Sequence, residues 1–259
     1  MIVDYHMHLR DAQGDIDHTR AGVEPFVETA RRRGIDEIGF TEHVYYFQQT
    51  REIWDLPYQV ERCRFDLDAY CDAVLDAKRA GLPVKLGLEV DYVGERQERL
   101  MELLAPYPWD FLLGSVHWID GEAVDQQPGM WATHSVEEVW ERYFAALAEL
   151  APFVDVLAHP DLPKIYGQRP ERPERFYPKL DGVALEISTA GLRKPVGELY
   201  PDYALLRANR GGGITLASDA HEPDLVGMDF DQALELAEDA GIETVTVFER
   251  REARQELLG

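Results

Sequence analysis

Short apolar runs alternate with longer amphipathic stretches along the whole chain, and this rhythm restricts it to folds built from repeated βα units around a parallel sheet. Strands are predicted over residues 2–6, 37–40, 84–89, 111–116, 154–158, 183–187 and 214–217. A further run, 244–248, resembles a closing strand. Helices are predicted over 19–33, 66–80, 94–104, 135–150, 203–209 and 229–240, and Ser135 and Glu138 stand in capping-box register at the fourth. Seven such strands suggest a barrel, in which groups at the carboxyl ends of the strands converge on one centre. An open doubly wound sheet also carries polar groups at strand ends, but spreads them along a crevice. At 259 residues the chain is expected to form one α/β domain over 1–259.

The predicted strands share a polar end. Asp4-Tyr5-His6-Met7-His8, Thr41-Glu42-His43, Gly87-Leu88-Glu89, Gly114-Ser115-Val116-His117, Ala158-His159-Pro160-Asp161 and Ser218-Asp219-Ala220-His221 each put an imidazole or carboxylate where a strand gives way to a loop. Scattered structural histidines have no reason to keep choosing that position. Neutral imidazole and carboxylate form the mixed ligand set that zinc, iron and manganese accept. His6 and His8, two apart on a strand, point to one face and can share one metal or flank two. Of the pair Glu42 and His43, the imidazole is the candidate ligand and the carboxylate the acceptor that orients an imidazole. Glu89 ends an apolar run, where an unpaired carboxylate is costly and bridging two cations removes that cost. His117 and His159 could complete the shell of the second cation, and Asp219 and His221 close the set. From position alone His18 reads equally well as a ligand or a surface histidine. His134, in a polar loop before Ser135, is taken as solvent-facing.

The formal charge of −23, from 49 acidic and 26 basic residues, argues against a surface that tracks long nucleic acid, because such binding depends on clustered Lys and Arg. A small anionic substrate needs only a local cationic pocket, and metal ions supply much of that charge. The two cysteines, Cys63 and Cys71, read as an idle thiol pair in a reducing compartment, and a cytoplasmic location is expected. No basic segment leads into an apolar run, and no stretch approaches membrane-spanning length. Two long connections, 44–64 with its aromatic and arginine residues and 162–179 rich in Pro and Arg, are expected to be binding loops or lids, with surface packing the even alternative.

Taken together, these motifs resemble the polymerase-and-histidinol-phosphatase (PHP) family, and within it the monofunctional histidinol phosphatases. The segment Leu185-Glu186-Ile187-Ser188-Thr189-Ala190-Gly191-Leu192-Arg193-Lys194-Pro195, followed by Tyr200-Pro201, is similar to one found in that branch. The resemblance covers nearly the whole chain and implies a distorted (β/α)7 barrel holding two or three divalent ions, zinc, iron or manganese. It implies one metal on His6, His8, Glu89 and Asp219, a second on Glu89, His117 and His159, and a third on His18, His43 and His221. Asp11 or Asp15 could take the place of His18.

The expected reaction is hydrolysis of a small phosphomonoester by a metal-activated water attacking phosphorus in line, with Glu89, Asp219, His221 and Arg193 carrying catalysis. Arg193 would clamp the phosphate through its planar fork, unless it pairs with an acidic neighbour. Lys164, just past the His159 motif, is a further phosphate candidate. Glu186, on an alternating strand, could face the barrel and meet a substrate ammonium or a metal-bound histidine, or be a structural partner. The resemblance implies L-histidinol phosphate as substrate and a place in histidine biosynthesis. The alternatives are another small phosphate ester, a nucleotide or an oligonucleotide end, amide hydrolysis by a related barrel, and a metal-dependent regulatory module without turnover.

Overall fold

In the computed structural model, residues 1–10, 13–180 and 182–259 are described. The chain runs through β1 (Val3–Asp4), α1 (Arg20–Arg32), β2 (Glu37–Phe40), α2 (Pro57–Arg62), α3 (Leu67–Arg79), β3 (Val84–Leu86), β4 (Glu89–Asp91), α4 (Gln97–Leu104) and β5 (Leu113–Ser115). A hairpin of β6 (Trp118–Ile119) and β7 (Glu122–Ala123) follows, then α5 (Val136–Leu150), β8 (Val156–Leu157), β9 (Ala184–Ser188), α6 (Tyr203–Asn209), β10 (Ile214–Ala217), α7 (Phe230–Asp239), β11 (Thr244–Glu249) and β12 (Glu252–Leu257). The helices form where the apolar spacing calls for them. In α1, Val23, Phe26, Val27 and Ala30 are buried along one face and the Thr19 side chain caps the first turn. The Ser135–Glu138 capping box opens α5 as expected.

Strands β1-β2-β3 make one parallel sheet and β10-β9-β8-β5-β4 another. Isolated backbone bonds join the two at both edges. On one side Glu89 N–H donates to Glu42 O (3.0 Å) and Leu113 N–H to Leu88 O (2.9 Å); on the other Tyr5 N–H donates to Leu216 O (3.0 Å) and His8 N–H to Ala220 O (2.8 Å). The result is a distorted ring of seven strand positions rather than one continuous ladder. The predicted strand 84–89 is in fact two, broken at Gly87-Leu88, where the chain turns from pairing with β2 to pairing with β5. Gly87 is required there. A Cβ on it would lie 2.7 Å from Cζ of Phe111, and the same ring comes equally close to Gly39.

Phe111 plugs the barrel floor. It stacks on Tyr5 (centroids 4.9 Å apart) and on Phe248 (5.9 Å), within a core that also takes in Val3, Leu113, Val156, Val245 and Val247. Residues 244–248 are therefore not a closing strand: β11 pairs antiparallel with β12 in a hairpin across the floor. The turn places Arg250 and Arg251 at φ 52° and 64°, as a two-residue hairpin turn demands.

Charges hold the hairpin. The Lys85 ammonium, 2.6 Å from Glu249, and Lys78, 3.0 Å away, pull the Glu249 carboxyl down to about 2 against its ordinary 4.5. A carboxyl lowered on folding contributes stability above its ordinary pKa and loses it as pH falls toward the folded value. Glu249 is half exposed, so the contribution is small. The melting-temperature advantage of wild type over Glu249→Gln is expected to shrink as pH falls from 4.5 toward 2; a difference constant across that interval would show the pair to be idle.

The two long connections are packed segments. Residues 44–64 contain two short 3-10 turns and α2, and bury Phe47, Thr50, Ile53 and Trp54; in 162–179, Leu162–Tyr166 is a 3-10 segment with Leu162, Lys164 and Ile165 inside. Both cysteines are free thiols, Cys71 buried and Cys63 half-buried. Among the described residues no helix is long and apolar enough to cross a membrane.

Candidate metal centre

At the carboxyl ends of the strands, Glu89 sits at the middle of a ring of imidazoles. Its Oε1 lies 3.6 Å from His6 Nε2, 3.6 Å from His117 Nε2 and 3.4 Å from His159 Nε2. Its Oε2 contacts His43 Nδ1 and lies 3.9 Å from His8 Nε2. Asp219 Oδ1 closes the near side, 3.6 Å from His6 Nε2, 3.4 Å from His8 Nε2 and 3.5 Å from His221 Nδ1. The polar atoms converge tightly enough to hold cations in four overlapping groups: His6–His8–Glu89, Glu89–His117–His159, His8–His43–His221 and His43–Asp91–His117.

The donor chemistry fits divalent ions. Glu89 is completely buried, yet neither of its oxygens has a hydrogen-bond partner, and the same holds for His6 Nε2 and both ring nitrogens of His8. Leaving so many polar atoms dry and unpaired is costly, and shared cations satisfy them together. Two backbones are strained at the same place: His159 (φ 28°) and Asp219 (φ 51°) adopt left-handed conformations that non-glycine residues rarely take.

Carboxylates behind the ring set the orientation of the imidazoles. Glu186 Oε2 is 2.8 Å from His6 Nδ1 and Asp91 Oδ1 is 2.7 Å from His117 Nδ1, which turns each Nε2 toward Glu89. Glu42 Oε2 stands 3.5 Å from His8 Nδ1. Burial opposes the charged form of His117, but Asp91 and Glu89 outweigh it and push the imidazole up to about 10. Burial likewise opposes ionisation of Glu89; the neighbouring His43, His117 and His6 overcome it and hold the carboxyl well below its usual range. Protons and divalent cations compete for the same nitrogens in such a set.

Of the residues singled out in the sequence, His6, His8, His43, Glu89, His117, His159, Asp219 and His221 are brought together. His18 is not brought to His43 and His221. Its Nε2 is 3.3 Å from Glu42 Oε1, and its ring packs among Phe47, Phe65 and Tyr70 behind the ring of ligands; His8 completes the third group instead. Asp15 is exposed, and Asp11 lies outside the described residues. Lys164 requires correction as a phosphate contact: its side chain is fully buried, 2.7 Å from Asp161 and donating to Leu199 O at 2.6 Å. Glu186 requires correction as a substrate contact, because it is buried with one oxygen on His6 and the other accepting the His159 N–H (3.1 Å). Arg193 is partly exposed at the rim, donating to the carbonyls of Ser218 and Thr189; Asp229 is 4.0 Å away. The fully buried Asp91 was missed, although its spacing of two from Glu89 already put both side chains on one face of a strand. Arg10, which neutralises Glu42 at 2.7 Å, carried no such signal.

A family model, the PHP domain, matches residues 4–190. The chain belongs to the PHP-domain family. Among PHP relatives, a protein of Deinococcus radiodurans named "Probable histidinol-phosphatase" is 31% identical over 90% of this chain and 93% of its own length. A protein of Clostridium acetobutylicum with the same name is 26% identical, covering 97% and 98%. The fold matches the crystal structure of the histidinol phosphate phosphatase of Lactococcus lactis, complexed with zinc, L-histidinol and phosphate, with a TM-score of 0.73, 20% identity and 98% of each chain covered. The distorted barrel is thus the PHP fold, and its histidine–carboxylate groups can bind several metal ions.

Proposed function

We propose that the chain is a metal-dependent phosphatase that hydrolyses L-histidinol phosphate to L-histidinol and phosphate. The observation that carries this reading is Glu89, buried with both oxygens unpartnered among His6, His8, His43, His117 and His159. His6, His8, Glu89 and Asp219 would hold one ion, Glu89, His117 and His159 a second, and His43 and His221 beside His8 a third. When bound, such ions supply Lewis-acid charge for phosphate oxygens and lower the pKa of water toward neutrality. The protein's own part is orientation. Glu186 and Asp91 fix the tautomers of His6 and His117, and the Thr189 and Ser218 carbonyls hold the Arg193 guanidinium. Its remaining N–H groups would clamp the phosphate. The relatives named histidinol-phosphatase favour an amino-alcohol ester as the substrate.

The test is phosphate release from L-histidinol phosphate beside sugar phosphates, nucleotides and a short oligonucleotide, using metal-quantified protein. Strong preference for histidinol phosphate is expected; preference for another ester would discard this substrate and leave the metal centre standing. Arg193→Ala is expected to keep its metals and lose kcat/KM by about 100- to 1,000-fold, with Arg193→Lys recovering only part of it. Unchanged kinetics in Arg193→Ala would remove that residue from the phosphate site.

A further inference from the structure

The loops that follow β5, β8 and β9 leave neighbouring strands, on the arc of the rim that carries His117 and His159. Among the described residues of these loops, four side-chain oxygens are buried without a hydrogen-bond partner: Asp125 Oδ1, Asp161 Oδ1, Gln168 Oε1 and the Tyr200 hydroxyl. Asp161 has its charge answered by Lys164. Asp125 is half-buried with its Oδ1 enclosed; among the described residues it forms no ion pair, and that oxygen accepts no hydrogen bond.

Asp125 is close to the chemistry. The β6–β7 hairpin returns the chain to the metal centre, where Val124 N–H donates to His117 O (2.8 Å), and the Tyr166 hydroxyl pins the Asp125 carbonyl (2.6 Å). Its negative charge is felt by both the His117 imidazole and the Tyr200 phenol. Asp125 is not needed to orient His117, whose Nδ1 is already taken by Asp91 at 2.7 Å. Tyr200 is 1% exposed, and its ring meets that of His159 edge-on at 6.3 Å. Burial first, then Asp161, Asp219 and Asp125, hold its phenol well above the usual range, so it stays a neutral hydroxyl. A buried carboxylate oxygen without a partner is expensive, and a primary ammonium, with three N–H donors and one positive charge, would satisfy both it and the phenolic oxygen. The carboxylate otherwise available for that task, Glu186, is already bound to His6 and the His159 backbone.

We propose that Asp125, together with the Tyr200 hydroxyl, binds the ammonium group of an amino-alcohol phosphate and so makes the enzyme select amine-bearing esters over otherwise identical ones. This rests on the reading of the metal centre as a phosphomonoesterase site.

The experiment compares metal-loaded wild type, Asp125→Asn and Tyr200→Phe on L-histidinol phosphate and on 3-(imidazol-4-yl)propyl phosphate, the same ester without the amine. Calorimetric binding of L-histidinol and of the amine-free alcohol to the same proteins runs beside it. Wild type is expected to prefer the amine-bearing ester, and Asp125→Asn to reduce the ratio of the two kcat/KM values by about 10- to 100-fold, with a matching weakening of L-histidinol binding. Tyr200→Phe should reduce the ratio severalfold. Equal losses on both esters in Asp125→Asn would assign Asp125 a structural role and overturn the proposal, as would a wild type indifferent to the amine. Should wild type cleave neither ester but hydrolyse others, the proposed substrate fails. The amine pocket is then judged by binding alone: L-histidinol binding lost in Asp125→Asn supports it, and no binding to wild type ends it.

Discussion

Glu89→Ala is expected to purify stripped of most of its metal and to turn over at least about a thousandfold more slowly than wild type, even when metal is added back. The size of the effect follows from position. Among the described residues, Glu89 is the one carboxylate within 4 Å of His6, His8, His43, His117 and His159 together. Removing it takes a ligand from two of the four convergent groups at once, and the remaining imidazoles lose the charge that balanced them. His6, which burial alone would discharge, is held well above its ordinary pKa by Glu186, Asp219 and Glu89 acting together. Metal analysis by mass spectrometry and phosphate release on one preparation decide the matter. Full metal content with full activity would sink the bridging assignment. Full metal content with lost activity would move Glu89 from holding cations to acting on the substrate.

Much of this centre was legible before any coordinates because its signal is local. A histidine or carboxylate at the end of an apolar run is visible residue by residue, and in a parallel barrel all strand ends meet, so His6, His43, Glu89, His117, His159 and Asp219 converge although up to 213 residues separate the first from the last. Depth and pairing were less legible. The alternation around Glu186 correctly turned it inward, but nothing local shows that His6, 180 residues away, is what it meets. Lys164 follows a site motif in sequence, yet its ammonium is consumed by Asp161 and by the carbonyl of Leu199, 35 residues further on. The β6–β7 hairpin had a signal that went unused, the Asp120-Gly121 pair at its turn, both at positive φ. Strand β12 had none, since Glu252–Leu257 is polar and almost entirely exposed and is defined only by its ladder with β11.

The barrel floor makes the opposite prediction to the metal centre. Phe111→Ala is expected to cost about 3–5 kcal/mol of unfolding free energy, which is a large share of the roughly 5–15 kcal/mol available to a domain, and to lower the melting temperature by on the order of 10 °C. Phe111 is completely buried, stacked between Tyr5 and Phe248, and it fills the space that Gly39 and Gly87 leave open beneath the strands. Its two stacking partners are not free to collapse into the hole: Tyr5 is tethered by its hydroxyl to Glu37, and Phe248 belongs to a hairpin fixed through Lys78 and Lys85. The cavity would therefore persist, which is the condition under which a large-to-small change costs most. Tyr5 also adjoins His6, so the plug sets the height at which the first ligand strand enters the centre. At temperatures where Phe111→Ala is folded it should still load metal, whereas Glu89→Ala should fold and not load. Chemical denaturation of the metal-free proteins separates the two. A Phe111→Ala protein within about 1 kcal/mol of wild type, nearer the scale of an exposed substitution, would mean that the floor relaxes around the hole and that Phe111 is not the plug its contacts describe.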